Sequence, residues 1–171
     1  KLKDILFEKK LRIFDFDDTL VKTDSKIYVT NKGKTKTLTP GEYALYKPKS
    51  DDKFNFKDFD GVIKPKQIKP IMKVFKRIVK ATGVRKINIL TARANYKPIK
   101  QFLSDIGFSG IYIVALSSGN PQKKADWIED KIKKGYDDVV FWDDSSKNIK
   151  VVNNLKKKYP NTKIKTQMVK Y

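Results

Sequence analysis

A chain of 171 residues, 39% apolar and 12% aromatic, fits one globular domain with a substantial core and excludes a disordered segment. It contains neither Cys nor His, which excludes disulfide partners, thiolate or His-ligated metal sites, cysteine nucleophiles and histidine general bases. The formal charge of +20 suits a polyanionic substrate or partner, because lysine and arginine release the counterions condensed on a phosphate backbone.

In chain order, residues 3–9 form an apolar lead-in, read as an edge strand or a turn of helix. Leu11–Phe16 is a core strand that runs into Asp15, Asp17 and Asp18 and then Thr19. Residues two apart on a strand face the same way, so Asp15 and Asp17 share a side while the chain stays extended. Ser25–Leu38 alternates polar and apolar residues around Asn31-Lys32-Gly33-Lys34, a hairpin signal. The stretch from about 22 to 66 lacks a helix-length apolar face and reads as an insertion over the mouth of a site. Its aromatic residues Tyr28, Tyr43, Tyr46, Phe54 and Phe56 either stack bases or pack a small core of their own.

A helix is predicted over Pro65–Thr82, with Ile68, Ile71, Val74, Phe75, Ile78 and Val79 on its apolar stripe. Gly83 stops it, and Lys69, Lys73, Lys76 and Lys80 form its solvated face. Lys86–Thr91 is a second strand ending in a hydroxyl. A helix from Pro98 to Gly107, a strand over Ile111–Leu116, and a helix from Pro121 to Gly135 follow. Val139–Trp142 is a fourth strand running into Asp143-Asp144, Ser145 caps a helix reaching Tyr159, and Lys163–Val169 is the last strand. Alternating strands and helices imply right-handed crossovers and a mainly parallel five-stranded sheet covered on both faces.

No run of eighteen apolar residues exists, so no membrane partner is expected. No signal-peptide pattern opens the chain, Lys1 in place of Met reads as a trimmed or tagged start, and the protein is read as cytosolic. Arginine is scarce, being confined to Arg12, Arg77, Arg85 and Arg93. A specialised nucleic-acid reader uses more of its bidentate fork, and biased genome composition is a competing source of the lysines.

Parallel strands put all their C-termini on one edge, where such sheets bind ligands. That edge would gather Asp15 and Asp17, Thr91 with Arg93 two residues on, Lys123 and Lys124 in a first helical turn, and Asp143 with Asp144. Asp15-Phe16-Asp17-Asp18-Thr19, Ile87–Thr91, the helix-start lysine and Val140–Asp144 together resemble the four signatures of the haloacid dehalogenase superfamily of phosphohydrolases. The resemblance implies a Rossmann-like three-layer sandwich, one domain over 1–171, with a cap-like insertion at about 22–66. It implies Asp15 as the nucleophile that forms an aspartyl-phosphate, Asp17 as general acid and base, Thr91 as a donor to a phosphoryl oxygen and a lysine as charge neutraliser. Magnesium is expected on Asp15, the Asp17 carbonyl, and Asp143 or Asp144.

Lys124 is preferred to Lys123 because it adjoins Ala125 on the buried stripe. Lys123 remains the alternative and a substrate-binding candidate. Thr19 is expected to order the loop, Asp18 has no assigned role, and Arg93 is either a surface cation or a substrate-phosphate contact. Within the superfamily the nearest likeness is to stand-alone phage-type and polynucleotide kinase-phosphatase-like phosphatase domains. It implies cleavage of a nucleic-acid 3′-phosphate end or a nucleotide. A small-metabolite phosphatase and a basic binding module with a vestigial site are the competing readings.

Overall fold

The computed structural model describes residues 9–170; the predicted lead-in at 3–8 lies outside the described residues. Five parallel strands form the main sheet: β1 (Lys10–Phe14), β7 (Ile87–Thr91), β8 (Tyr112–Ala115), β9 (Asp138–Asp143) and β10 (Lys163–Met168), in the order β10-β9-β1-β7-β8. Strand alternation divides the core in two. Phe14, Ile87, Ile89 and Trp142 face α2 (Lys69–Thr82) and α3 (Lys97–Asp105), where they meet Ile71, Phe75, Ile99 and Leu103. Leu11, Ile13, Leu90, Val139 and Phe141 face α4 (Pro121–Lys133) and α5 (Ser146–Lys158), against Ile128, Val152 and Leu155. The result is a Rossmann-like three-layer α/β sandwich, and its sheet is parallel throughout.

Aromatic contacts fasten the sheet to α2, and a part-buried ion pair ties β1 to β9 within the sheet. Phe14 stacks on Trp142 with ring centroids 4.4 Å apart and meets Phe75 edge-on at 5.4 Å. At the N-terminal edge of the sheet, Arg12 grips Asp138 with both guanidinium arms, at 3.1 and 2.9 Å. No described helix is long and apolar enough to cross a membrane.

Chain order fixes a switch point. From the central strand β1 the chain moves outward through β7 to β8, then returns to the other side of β1 with β9 and β10. The two strands leading away in opposite directions open a crevice at their carboxyl ends, the place where open α/β sheets bind ligands.

Between β1 and β7 lies the insertion. Two short strands, β2 (Val21–Lys22) and β6 (Lys66–Gln67), pair antiparallel and close its base. Above them β3 (Ile27–Asn31), β4 (Lys34–Leu38) and β5 (Lys53–Asn55) form an antiparallel sheet in the order β4-β3-β5. Lys32 (φ 48°) and Gly33 (φ 76°) both take left-handed backbone at the predicted hairpin turn, as a two-residue turn matched to strand twist requires.

Several element ends shift by one or two residues, β1 stopping at Phe14 rather than Phe16, and two departures from expectation are larger. The predicted helix at Pro65 begins at Lys69 instead, because Lys66 and Gln67 are used in the ladder with Val21 and Lys22; Pro70, not Pro65, occupies the first turn. The insertion also holds a short helix, α1 (Pro40–Leu45), fastened by a capping box between Thr39 and Glu42. The Thr-Pro-Gly-Glu sequence announces that cap, although six residues carry too short an apolar stripe to register as a helix.

Candidate active site

The chain leaves β1 at Phe14 and turns tightly. The carbonyl of the buried Phe16 accepts N–H donors from Leu20 and Val21 at 3.0 and 3.1 Å, and Asp18 takes φ 57° within the turn. Asp15 stays anchored to the sheet, its N–H donating to the Trp142 carbonyl at 2.9 Å. The turn brings Thr19 back beneath it. The Thr19 hydroxyl lies 3.1 Å from Asp15 Oδ2 and 3.2 Å from Asp144 Oδ1, and accepts the Asp144 N–H at 3.1 Å. Thr19 is fully buried and orders the loop, as expected from its position.

Lys124 enters from the first turn of α4, whose cap is Asn120. Its ammonium donates to Asp15 Oδ1 and to Asp143 Oδ2, each at 2.7 Å, and the residue is only 4% exposed. Lys123 is exposed and does not join this cluster. The choice between the two lysines is therefore made by the helix register, which sends one inward beside Ala125 and the other to solvent.

Asp143 is fully buried at the end of β9. Besides Lys124 it accepts the Ser145 N–H at 2.8 Å and the Asn148 side-chain amide at 3.0 Å. No sequence motif marks Asn148 as a site residue. The available signal was its place at the third helical position after the Ser145 cap, where a side chain turns back toward the helix start.

Asp15, Asp143 and Asp144 each present an oxygen, all within 4.8 Å of one another. Burial, followed by repulsion from Asp143 and Asp144, raises the Asp15 carboxyl well above its ordinary range, while Lys124 opposes the rise. Asp144 is pushed up to about 6, by burial and then by the charges of Asp143 and Asp18. Burial alone would lower the Lys124 ammonium, but Asp15 and Asp143 overcome it and hold the lysine charged. With all three carboxylates ionised, one ammonium would leave two negative charges, which is why protonation is favoured while no cation is bound. A divalent cation with oxygen ligands fits that deficit.

Asp17 faces a different partner. Both its oxygens are gripped by Arg93, from Nε at 2.8 Å and from Nη2 at 2.7 Å. The remaining arm of Arg93 donates to the backbone carbonyls of Phe59 and Gly61, at 3.0 and 2.5 Å. Arg93 is 4% exposed, so the surface-cation alternative is corrected. Its guanidinium is also taken up by Asp17 and the insertion rather than open to a substrate phosphate. Arg93 reaches this position because Thr91 ends β7 and its hydroxyl oxygen accepts the Arg93 N–H at 3.2 Å, turning the chain back over Asp17. The hydrogen of that buried hydroxyl remains to be donated.

Of the residues expected at the site, Asp15, Lys124, Asp143 and Asp144 meet directly, and Thr19 joins them. Asp17 stands with Arg93, and its carboxylate is not one of the three that meet. The stacking aromatics mostly pack. Tyr43, Tyr46 and Phe54 are partly buried against Ile27, Val29 and Leu38; Tyr28 is half-buried with its hydroxyl donating to Asp58, and Phe56 stays 44% exposed. Comparison with protein-family models, curated proteins and solved structures finds no match to this chain.

Proposed function

We propose that the chain is a magnesium-dependent phosphohydrolase of the haloacid dehalogenase type. It would cleave a phosphate monoester through an aspartyl-phosphate on Asp15, with a nucleic-acid 3′-phosphate end or a nucleotide as substrate. The observation that carries the reading is the meeting of three carboxylates, two of them bonded to one buried ammonium, at the switch point of a parallel sheet.

Asp15, Asp143 and Asp144 would hold the magnesium. When bound, the ion offsets repulsion between an anionic nucleophile and an anionic phosphate. An Asp15 oxygen would attack phosphorus as the bond to the leaving oxygen breaks, and Asp17, protonated beforehand and with one oxygen released by Arg93, would supply that oxygen with its proton. Asp17 then takes a proton from water, whose oxygen attacks phosphorus and frees Asp15. Lys124 holds Asp15 and neutralises charge on the transferring group, and the Thr91 hydroxyl donates to a phosphoryl oxygen. Arg93 is a positioning residue that fixes the direction of the Asp17 carboxylate. The +20 charge supports a polyanionic substrate over a small neutral-bodied ester.

The test is phosphate release, with and without magnesium, from p-nitrophenyl phosphate and from a 3′-phosphorylated oligonucleotide, using the parent protein and Asp15→Asn. Magnesium-dependent release that prefers the oligonucleotide and falls at least about a thousandfold in the variant is expected. Substantial turnover by Asp15→Asn would remove the nucleophile assignment. Equal or better turnover of the small ester would replace the nucleic-acid substrate with a metabolite.

A further inference from the structure

The insertion carries a lysine-lined cleft away from the acid cluster. It has a volume of about 260 Å³ and is lined by residues including Asn31, Lys34, Lys36, Tyr46, Lys49 and Asp52. Register explains why lysines enter it. Lys36 pairs with Val29 and Lys34 with Asn31, so both share the face on which Ile27 pairs with Leu38. That face is the buried core of the insertion at one end. Toward the hairpin turn it gives way to two ammonium groups two residues apart, about 7 Å along the strand.

The one acid in the cleft faces Lys36 and offsets one of the three ammonium charges, leaving the lining positive. Asp52 accepts from the Asn31 amide at 2.7 Å, the Tyr46 hydroxyl at 2.7 Å and the Lys49 N–H at 2.8 Å. It is satisfied by polar donors that do not themselves carry charge, and it serves as the pin joining β3 to the segment after α1. The Lys36 ammonium rests 3.9 Å from the centre of the Tyr46 ring, which orients it without cancelling its charge. Over residues 22–66 lysines number eleven against six acids, so the surroundings reinforce the cleft's positive potential.

We propose that this cleft is a second binding site, which holds the phosphodiester backbone of single-stranded nucleic acid through Lys34, Lys36 and Lys49. Ammonium groups at strand spacing can meet successive phosphates of one strand, and such contacts are indifferent to base sequence. The strand's identity as substrate rests on the function proposed above; the cleft itself is tested by binding, without turnover.

The probe is a fluorescent 20-residue oligothymidylate ending in a 3′-hydroxyl, titrated across a range of salt concentrations. Lys34→Gln/Lys36→Gln/Lys49→Gln is compared with Lys69→Gln/Lys73→Gln/Lys76→Gln, which removes the same charge from exposed positions on α2. Matching thermal midpoints show that each variant folds. The cleft variant should bind about tenfold or more weakly at low salt, and its log-log salt slope should flatten by roughly 2, about 0.7 for each lost phosphate contact. The α2 variant should stay within about twofold of the parent.

Equal losses from both variants would overturn the proposal in favour of diffuse attraction. Equal binding of poly-glutamate to the cleft would overturn it in favour of an acidic protein. Loss of binding confined to the cleft variant, in a protein that releases no phosphate, would sustain the site while removing the phosphohydrolase reading. Robust phosphate release with unchanged binding would do the reverse.

Discussion

The acid cluster and the insertion's cleft set lysine beside aspartate in opposite ways. At the cluster Lys124 is buried and bridges Asp15 and Asp143 at 2.7 Å each. In the cleft Asp52 is held by an amide, a phenol and a backbone N–H, while Lys34, Lys36 and Lys49 remain exposed. A buried charge must be paired, since leaving it alone in a low dielectric costs several kcal/mol. An exposed lysine is stabilised by water and gains little from a nearby acid. The two regions therefore use one pair of residue types for different ends: fixed internal geometry in one, charge available to a visitor in the other.

The sharpest way to break this contrast is Lys124→Met. The side chain keeps its length but loses the charge, and three carboxylates are left crowded in the interior. A loss of about 3–5 kcal/mol in unfolding free energy is expected by denaturant titration, together with loss of phosphate release. Millimolar magnesium should raise the variant's midpoint more than the parent's, because a ligand that binds only the folded state stabilises it. A cost below about 1 kcal/mol, or no response to magnesium, would show that the carboxylates do not depend on a cation.

Much of this site was legible because β-strand ends are easy to read. Apolar runs stopping at Asp15, Thr91 and Asp143 mark the sheet edge, and the helical stripe through Ala125 and Ile128 selects Lys124 over Lys123. Arg93 was not legible in the same way. Its partners, Asp17 and the carbonyls of Phe59 and Gly61, lie more than thirty residues away, and no local period encodes such a contact. The scarcity of arginine also reads differently in three dimensions. Arg12 and Arg93 are engaged in internal ion pairs with Asp138 and Asp17, which leaves lysine to supply nearly all the surface charge. The cleft was hidden for a further reason: the alternating pattern of β4 identifies a strand, but only its register with β3 shows which lysines share a face with the small core.

Arg93 ties the base of the insertion to Asp17 in the turn after β1, beside the acid cluster, and a milder change there separates positioning from charge. Arg93→Lys retains a cation but cannot hold both Asp17 oxygens and two carbonyls at once. A fall of about ten- to a hundredfold in kcat, with KM for p-nitrophenyl phosphate little changed, is the expected result, since slight misplacement of a proton-transfer group is costly. Hydrogen exchange across residues 57–62 should quicken with it. A rise in KM alone would instead make Arg93 a substrate contact.

The smallest change tests whether the insertion stands on its own core. Ile27, Val29 and Leu38 are its buried apolar side chains, with Tyr43, Tyr46, Phe54 and Phe59 packed around them. Val29→Ala removes two methyl groups at the point where β3 meets both β4 and β5. At about 0.8 kcal/mol per buried carbon, the loss is roughly 1.5 kcal/mol. Among the described residues, the insertion is tied to the sandwich through the β2–β6 ladder, the Arg93 bonds to Phe59 and Gly61, and Val62, which packs against the core around Phe75. The effect should therefore appear as faster hydrogen exchange confined to 27–38 and 53–55, with exchange in β1, β7 and β9 unaltered. If the core strands loosen equally, the insertion and the sandwich form one cooperative unit, and a ligand seated in the cleft would then stabilise the acid cluster as well.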